Sequence, residues 1–127
     1  MRDKDLFEYA VVRVLPRVER EEFLNVGIVL YCAAQEFLQT AFELNEARLR
    51  TFGDEVSITE LQEQLRAFEQ VCAGGKDAEQ LGDLPRGERF RWLTAPRSTV
   101  VQTSPVHTGL CIDARETLQH LLAQLVR

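Results

Sequence analysis

Apolar and polar positions alternate along the first third of the chain and recur at helical spacing along most of the remainder. Residues 7–15 (FEYAVVRVL) are rich in β-branched and aromatic types and run into Pro16, which predicts a strand. The charged turn RVEREE follows, and residues 23–32 (FLNVGIVLYC) predict a second strand. Within it Leu24, Val26, Ile28, Leu30 and Cys32 form a wholly apolar face, whereas Phe23, Asn25, Gly27, Val29 and Tyr31 form a mixed one. A turn centred near Val18 and Glu19 sets Arg13 opposite Asn25 on that mixed face. Residues 36–44 (EFLQTAFEL) predict a third strand, and connections this short make consecutive strands antiparallel, so the chain should begin as a β-meander.

Helical periodicity takes over next. Asn45 is an N-cap for EARLRTF, with Leu44 and Leu49 at hydrophobic-staple positions and Gly53 as the stop. Ser57 opens a capping box, SITE, after which Ile58, Leu61, Leu65, Phe68, Val71 and Cys72 recur on one face until Gly74-Gly75. Residues 76–87 are punctuated by GGKD, LGDLP and RG and read as surface chain with a turn or two of helix. In the stretch that follows, Phe90, Trp92 and Leu93 are expected in the core, with Arg89 and Arg91 pointing outward. Residues 99–103 have strand character until Pro105 interrupts them. Asp113 caps a last helix, with Glu116 at its third position and Leu118, Leu121, Leu122 and Leu125 as the buried stripe. The pattern as a whole predicts an α+β fold: an antiparallel sheet of three to four strands, meander first, with two main helices packed on one face, in a single domain over residues 1–127.

Composition narrows the function. The length of 127 residues suits one hydrophobic core. A net charge of −5 disfavours nonspecific binding to duplex nucleic acid, which depends on summed phosphate neutralisation. Thirteen of the 15 basic residues are arginine, a side chain suited to planar, bidentate contacts. Cys32, Cys72 and Cys111 stand far apart with no CxxC or Cys/His spacing, so neither a structural metal nor a cofactor is expected. No apolar run reaches the ~20 residues of a membrane span, and MRDKDLFEY lacks a signal-peptide core, which together suggest a cytoplasmic protein.

Two segments carry more polar chemistry than packing requires: Arg13, Arg17, Arg20, Glu21 and Asn25 around the first hairpin, and Arg91, Arg97, Ser98, Thr99, Ser104, His107, Thr108 and Gly109 near the end. Arginines beside hydroxyls and a glycine turn suit an anion or phosphate pocket. The competing expectation is that Arg97 bonds carbonyls or carboxylates while the hydroxyls close turns. His107, in SPVHTGLC, is a candidate general base, a stacking residue or a turn residue. Catalysis would need Cys111, Ser98, Ser104 or Cys32 within hydrogen-bonding reach as nucleophile. No GxSxG, P-loop, GxGxxG or HExxH motif occurs. Tyr9, Phe23 and Tyr31 interleaved with Arg13 and Asn25 would suit single-stranded nucleic acid, although the acidic charge opposes it and the segment around Trp92 or another chain is a better cover for that face.

The pairing of YAVVRVLPRVEREEFLNVGIVLYC with RFRWLTAPRSTVVQTSPVHTGLC resembles the bacterial domain-of-unknown-function family numbered 3037 (DUF-3037). The resemblance runs from about Phe7 to the last helix. It implies a small bacterial single-domain protein often encoded beside a HipA-like kinase-fold protein, hence a partner, adaptor or antitoxin-like role, and it assigns no catalytic residue. The leading expectation is therefore a noncatalytic binding module acting through the face of Arg13, Asn25, Arg97 and His107 on another protein or a phosphate-bearing ligand. A small hydrolase or transferase using His107 is the alternative, single-strand binding is a third, and homodimerisation is open.

Overall fold

The computed structural model describes residues 3–15, 23–51, 57–97 and 99–127. Its strands are β1 (Asp5–Val14), β2 (Leu24–Cys32), β3 (Phe37–Phe42), β4 (Val101–Thr103) and β5 (His107–Cys111), and its helices are α1 (Glu46–Arg50), α2 (Ile58–Ala73), α3 (Arg86–Leu93) and α4 (Ala114–Leu125), with a 3₁₀ segment over Lys76–Asp83. The fold is α+β, and β1 to β3 form the expected antiparallel meander. The hairpin tip carrying Pro16, Arg17, Val18, Glu19, Arg20 and Glu21 lies outside the described residues, as do Gly53 and Ser98.

Five strands form where three or four were expected, because the last strand is broken in two. β4 and β5 lie end to end along the same side of β1, pairing with its C-terminal and N-terminal halves respectively. Between them Ser104 donates its N–H to the Val11 carbonyl (2.8 Å), and its Oγ accepts the Val11 N–H (2.9 Å). A hydroxyl thus replaces a ladder carbonyl at the point where Pro105, which has no N–H, cannot continue the strand.

The expectation of two helices on one face is corrected: α2 and α3 cover one face and α4 the other. Ala10, Val12 and Val14 of β1 pack with Leu61, Leu65 and Phe68 of α2 and with Phe90 and Leu93 of α3. Phe7 and Val11, from the alternate positions, pack with Ile28, Leu30 and Cys32 and with Ala114, Leu118 and Leu122 of α4. β1 and β2 are apolar on both alternations, so each side of the sheet demands a cover. The single apolar face expected of β2 is divided as well. Register slips between Val12 and Arg13, so that Val12 faces Gly27 and Arg13 faces Asn25. The extra residue, Val26, joins the α2 side with Val29, whereas Ile28, Leu30 and Cys32 stay on the α4 side.

The helix caps lie where the sequence placed them. Ser57 Oγ accepts the Glu60 N–H, Asp113 Oδ1 that of Glu116, and Asn45 Oδ1 that of Arg48. α2 stops at Gly74 (φ 76°, ψ −174°), a backbone region open essentially only to glycine. The stretch from Arg89 to Leu93 is helical; Phe90 and Leu93 are buried as expected, whereas the expectations for Arg89 and Trp92 are corrected. Arg89 is only 7% exposed, whereas Trp92 is 42% exposed. The Arg89 guanidinium donates to the carbonyls of Val71 and Cys72, both at 2.8 Å, and to that of Leu84 at 2.9 Å. It closes the C-terminal end of α2, where unpaired carbonyls and the negative end of the helix dipole favour a cation. A Cβ on Gly74 would stand 2.7 Å from its Nη1, so this glycine also clears its path.

Candidate functional site

α4 packs over β2 and β3, which leaves a strip along β1 and its outer neighbours less covered on the same side of the sheet. Side chains at Phe7, Tyr9, Val11 and Arg13 point to this side, because Ala10, Val12 and Val14 between them point to the other. Phe7 and Val11 are buried, Tyr9 and Arg13 are partly exposed, and His107 of β5 is exposed. His107 lies directly across from Tyr9, with ring centroids 5.3 Å apart, and Tyr9 stacks on Phe7 at 5.9 Å. Four residues along β1, a run of roughly 13 Å at strand rise, Arg13 lies between Asn25 of β2 and Gln102 of β4.

This far end is polar and incompletely satisfied. The Arg13 guanidinium sits 4.2 Å over the Phe23 ring, a cation–π contact. Asn25 Nδ2 donates to the Leu125 carbonyl at 3.0 Å, which fixes the orientation of the amide. Arg13 Nε and Asn25 Oδ1 are both buried without a hydrogen-bond partner among the described residues. A donor and an acceptor on cross-strand neighbours are each costly to leave unpaired in a buried setting. Beside Asn25 two clefts of about 520 and 500 Å³ share Arg48 and Arg127 in their walls, and Arg127 is paired with Glu43 at 2.6 Å.

The remaining site residues expected from the sequence do not join this strip. Arg91 lies on α3, across the sheet, where it binds Glu8 through both guanidinium nitrogens at 2.6 and 3.0 Å. Hydrogen bonding to Glu8 pushes the Arg91 pKa above its ordinary value. Thr108 is opposite Glu8 and therefore also on the α3 side. Arg97 folds back on Trp92, donating to its carbonyl and lying 4.5 Å over its ring. Thr99 Oγ1 donates to the Val101 carbonyl at 2.7 Å. Tyr31, expected beside Tyr9, stacks instead on Phe90 at 5.6 Å. The arginines and hydroxyls that suggested an anion pocket are largely engaged within the chain.

Ser104 and the cysteines have chemistry that bears on nucleophilic roles. Ser104 is buried, and its Oγ donates to the Pro105 carbonyl at 2.9 Å while accepting from Val11, so its proton is directed away from any imidazole. Burial pushes the Cys72 thiol up to about 12, and burial together with the neighbouring Cys32 pushes Cys111 up to about 11. Both are protonated at neutral pH and poor nucleophiles. Among the described residues no group of three or more His, Cys, Asp or Glu side chains is placed to hold a metal ion. Among the described residues no helix is long and apolar enough to cross a membrane.

Two features escaped the sequence reading. One is the capping role of Arg89, whose signal was its position in a helix too short to show periodicity. The other is the exposed pair Leu6 and Leu110, which face each other across β1 and β5. The uncharged segment HTGLC held a hint of it.

No curated protein and no solved structure matches the chain. The family model described as a protein of unknown function (DUF3037) matches residues 9–126, from Tyr9 of the strip to the end of α4, and the chain belongs to that family.

Proposed function

We propose that this chain is a noncatalytic binding module that engages another protein through the strip on the α4 side of β1 and β5. The observation that carries the reading is the gathering of Arg13, Asn25 and His107, from three different strands, on one side of the sheet with Tyr9 and Phe23 among them. Tyrosine, arginine and phenylalanine are the residue types that dominate protein contacts. The partly exposed Arg13 guanidinium favours a partner that brings a carboxylate to that end, while Tyr9 and His107 favour an apolar or aromatic group at the other. The hydrogen bonds of Ser104 and the protonated thiols support binding over nucleophilic catalysis. The three buried, free cysteines suit a reducing bacterial cytoplasm.

The family resemblance makes a HipA-like kinase-fold protein encoded beside the chain the first partner to examine. Calorimetric titration of that protein with the wild type and with His107→Asp, Tyr9→Ser and Arg91→Ala variants tests the reading. The first two should weaken binding about tenfold or more, the scale of losing a contact worth ~1.4 kcal/mol, and Arg91→Ala should bind like the wild type. Equal binding by all four, or no binding at all, would count against the strip. A phosphate-bearing ligand is the second reading, favoured only by the Arg13 end, and a thermal shift with inorganic phosphate or nucleotides would support it instead.

A further inference from the structure

We infer that the cleft between α4 and the C-terminal end of β5 is a docking groove for an extended, basic peptide segment of a partner protein. The cleft has a volume of about 490 Å³, within the range of ordinary binding clefts. Its floor is apolar, formed by the buried Phe7 and by Ile112 and Leu121, and Ile112 is 47% exposed. Two exposed carboxylates, Asp113 and Glu116, stand on its rim against Lys4, with His120 beside them. An apolar floor under an acidic rim fits a long cationic side chain, whose stem lies on the floor while its head meets the carboxylates. The net charge of −5 attracts a segment of that sign from a distance as well.

The backbone beside the cleft dictates the conformation of the occupant. The cleft borders β5 through Leu110, Cys111 and Ile112. Among the described residues β5 bonds to β1 alone, so its outward N–H and C=O groups have no ladder partner. No charge or proline within His107–Cys111 guards this edge, whereas the opposite edge, β3, is overlain by α2 and α4. An extended peptide completes such an edge: main-chain hydrogen bonds supply affinity, and pockets for alternate side chains supply specificity.

Alternation then sets the sequence that fits. Cys111 faces α4, and Leu110 faces the other side of the sheet beside Leu6. A peptide residue opposite Cys111 therefore projects over the cleft, where the basic side chain belongs. Its neighbour, opposite Leu110, projects onto an apolar side chain that is 64% exposed. The segment that fits alternates basic and apolar residues. His107 lies at the opposite end of β5, and the groove shares only the buried ring of Phe7 with the strip around Arg13 and Tyr9. The two sites can be tested, and can fail, separately.

Fluorescence anisotropy of a labelled, capped peptide of alternating arginine and valine, titrated with the full chain, tests the groove. The peptide should bind saturably, and its counterpart of alternating glutamate and valine should not. Methylating the backbone nitrogens along one edge of the arginine peptide removes donors but not charge, and should weaken binding by about tenfold or more for at least one of the two edges. Glu116→Arg should weaken it by a similar factor. Glu63→Arg, the same charge change on the exposed face of α2, should bind like the wild type. No binding of the arginine peptide overturns the inference. So does equal weakening by the two charge variants, which is attraction to net charge alone, or indifference to methylation along either edge, which leaves no added strand. Glu116 bonds to Asp113 only through its main-chain N–H, so Glu116→Arg keeps the cap of α4, and thermal melting of both variants checks the fold.

Discussion

Arg89→Met removes a buried guanidinium while keeping most of its stem volume, so the loss falls on hydrogen bonding. Three bonds disappear, to the carbonyls of Val71, Cys72 and Leu84. A hydrogen bond from a charged donor contributes about 1.5–3 kcal/mol, and a carbonyl left buried without a partner costs about 1–3 kcal/mol. Simple addition overshoots, because the guanidinium no longer has to be desolvated in the variant. The favourable interaction of a cation with the end of α2 is lost too, about 0.3–1 kcal/mol or somewhat more when buried. The net expectation is a destabilisation of about 3 kcal/mol. At an unfolding entropy of about 2.1 cal/mol/K per residue, 127 residues give about 0.27 kcal/mol/K, and Tm should fall by about 11 °C. Arg89→Lys keeps the charge but not the fork, and should lose about half as much. Urea denaturation followed by circular dichroism measures both, with an unchanged slope showing that the unfolded reference is the same. A second readout is alkylation of Cys72 under native conditions, which should accelerate because the end of α2 opens more often. A loss below about 1 kcal/mol for Arg89→Met, with no change in Cys72 reactivity, would refute the capping role.

Three further outcomes follow from the same geometry. Ser104→Ala leaves the Val11 N–H without its acceptor in a buried setting and should cost about 1–2 kcal/mol, with hydrogen exchange at Val11 rising more than at Val29. Gly74→Ala forces a side chain into a glycine-only conformation and against Arg89. It should cost about 2–3 kcal/mol, and combination with Arg89→Met should be less than additive because the clash is shared. Stability should fall in alkali. Folding raises the Cys72 thiol from 9.0 to about 12, so the folded state holds a proton that the unfolded chain releases. The contribution is complete below pH 9 and declines by about 1.4 kcal/mol per pH unit between 9 and 12. Cys72→Ala should flatten that part of the profile, and an unchanged slope would contradict the assignment.

Much of the fold was legible because local chemistry and tertiary packing agree there. The caps at Asn45, Ser57 and Asp113, the stripe of α2 and the register of Arg13 with Asn25 all rest on interactions over a few residues or one short hairpin. What escaped was set by longer range. The bulge at Val26 reverses the alternation of β2, and no residue pattern announces it. Because β1 and β2 are apolar on both faces, the sequence left open which helix covers which side, and the expectation of one face failed there. Arg89 was read as outward because arginine usually is. Only the distant carbonyls of α2 make its burial favourable. For the site, strand alternation could group Arg13, Asn25 and Tyr9. That His107 joins them and Arg97 does not depends on which stretch of the last segment pairs with β1 and which folds back on α3.

Hydrogen–deuterium exchange of the chain, alone and saturated with the proposed HipA-like kinase-fold partner, tests the proposed binding strip most directly. Residues 9–13, Asn25 and His107 should gain protection together, while α2 and α3 exchange as in the free chain. Protection confined to α2 and α3, or none anywhere under saturating partner, would contradict it.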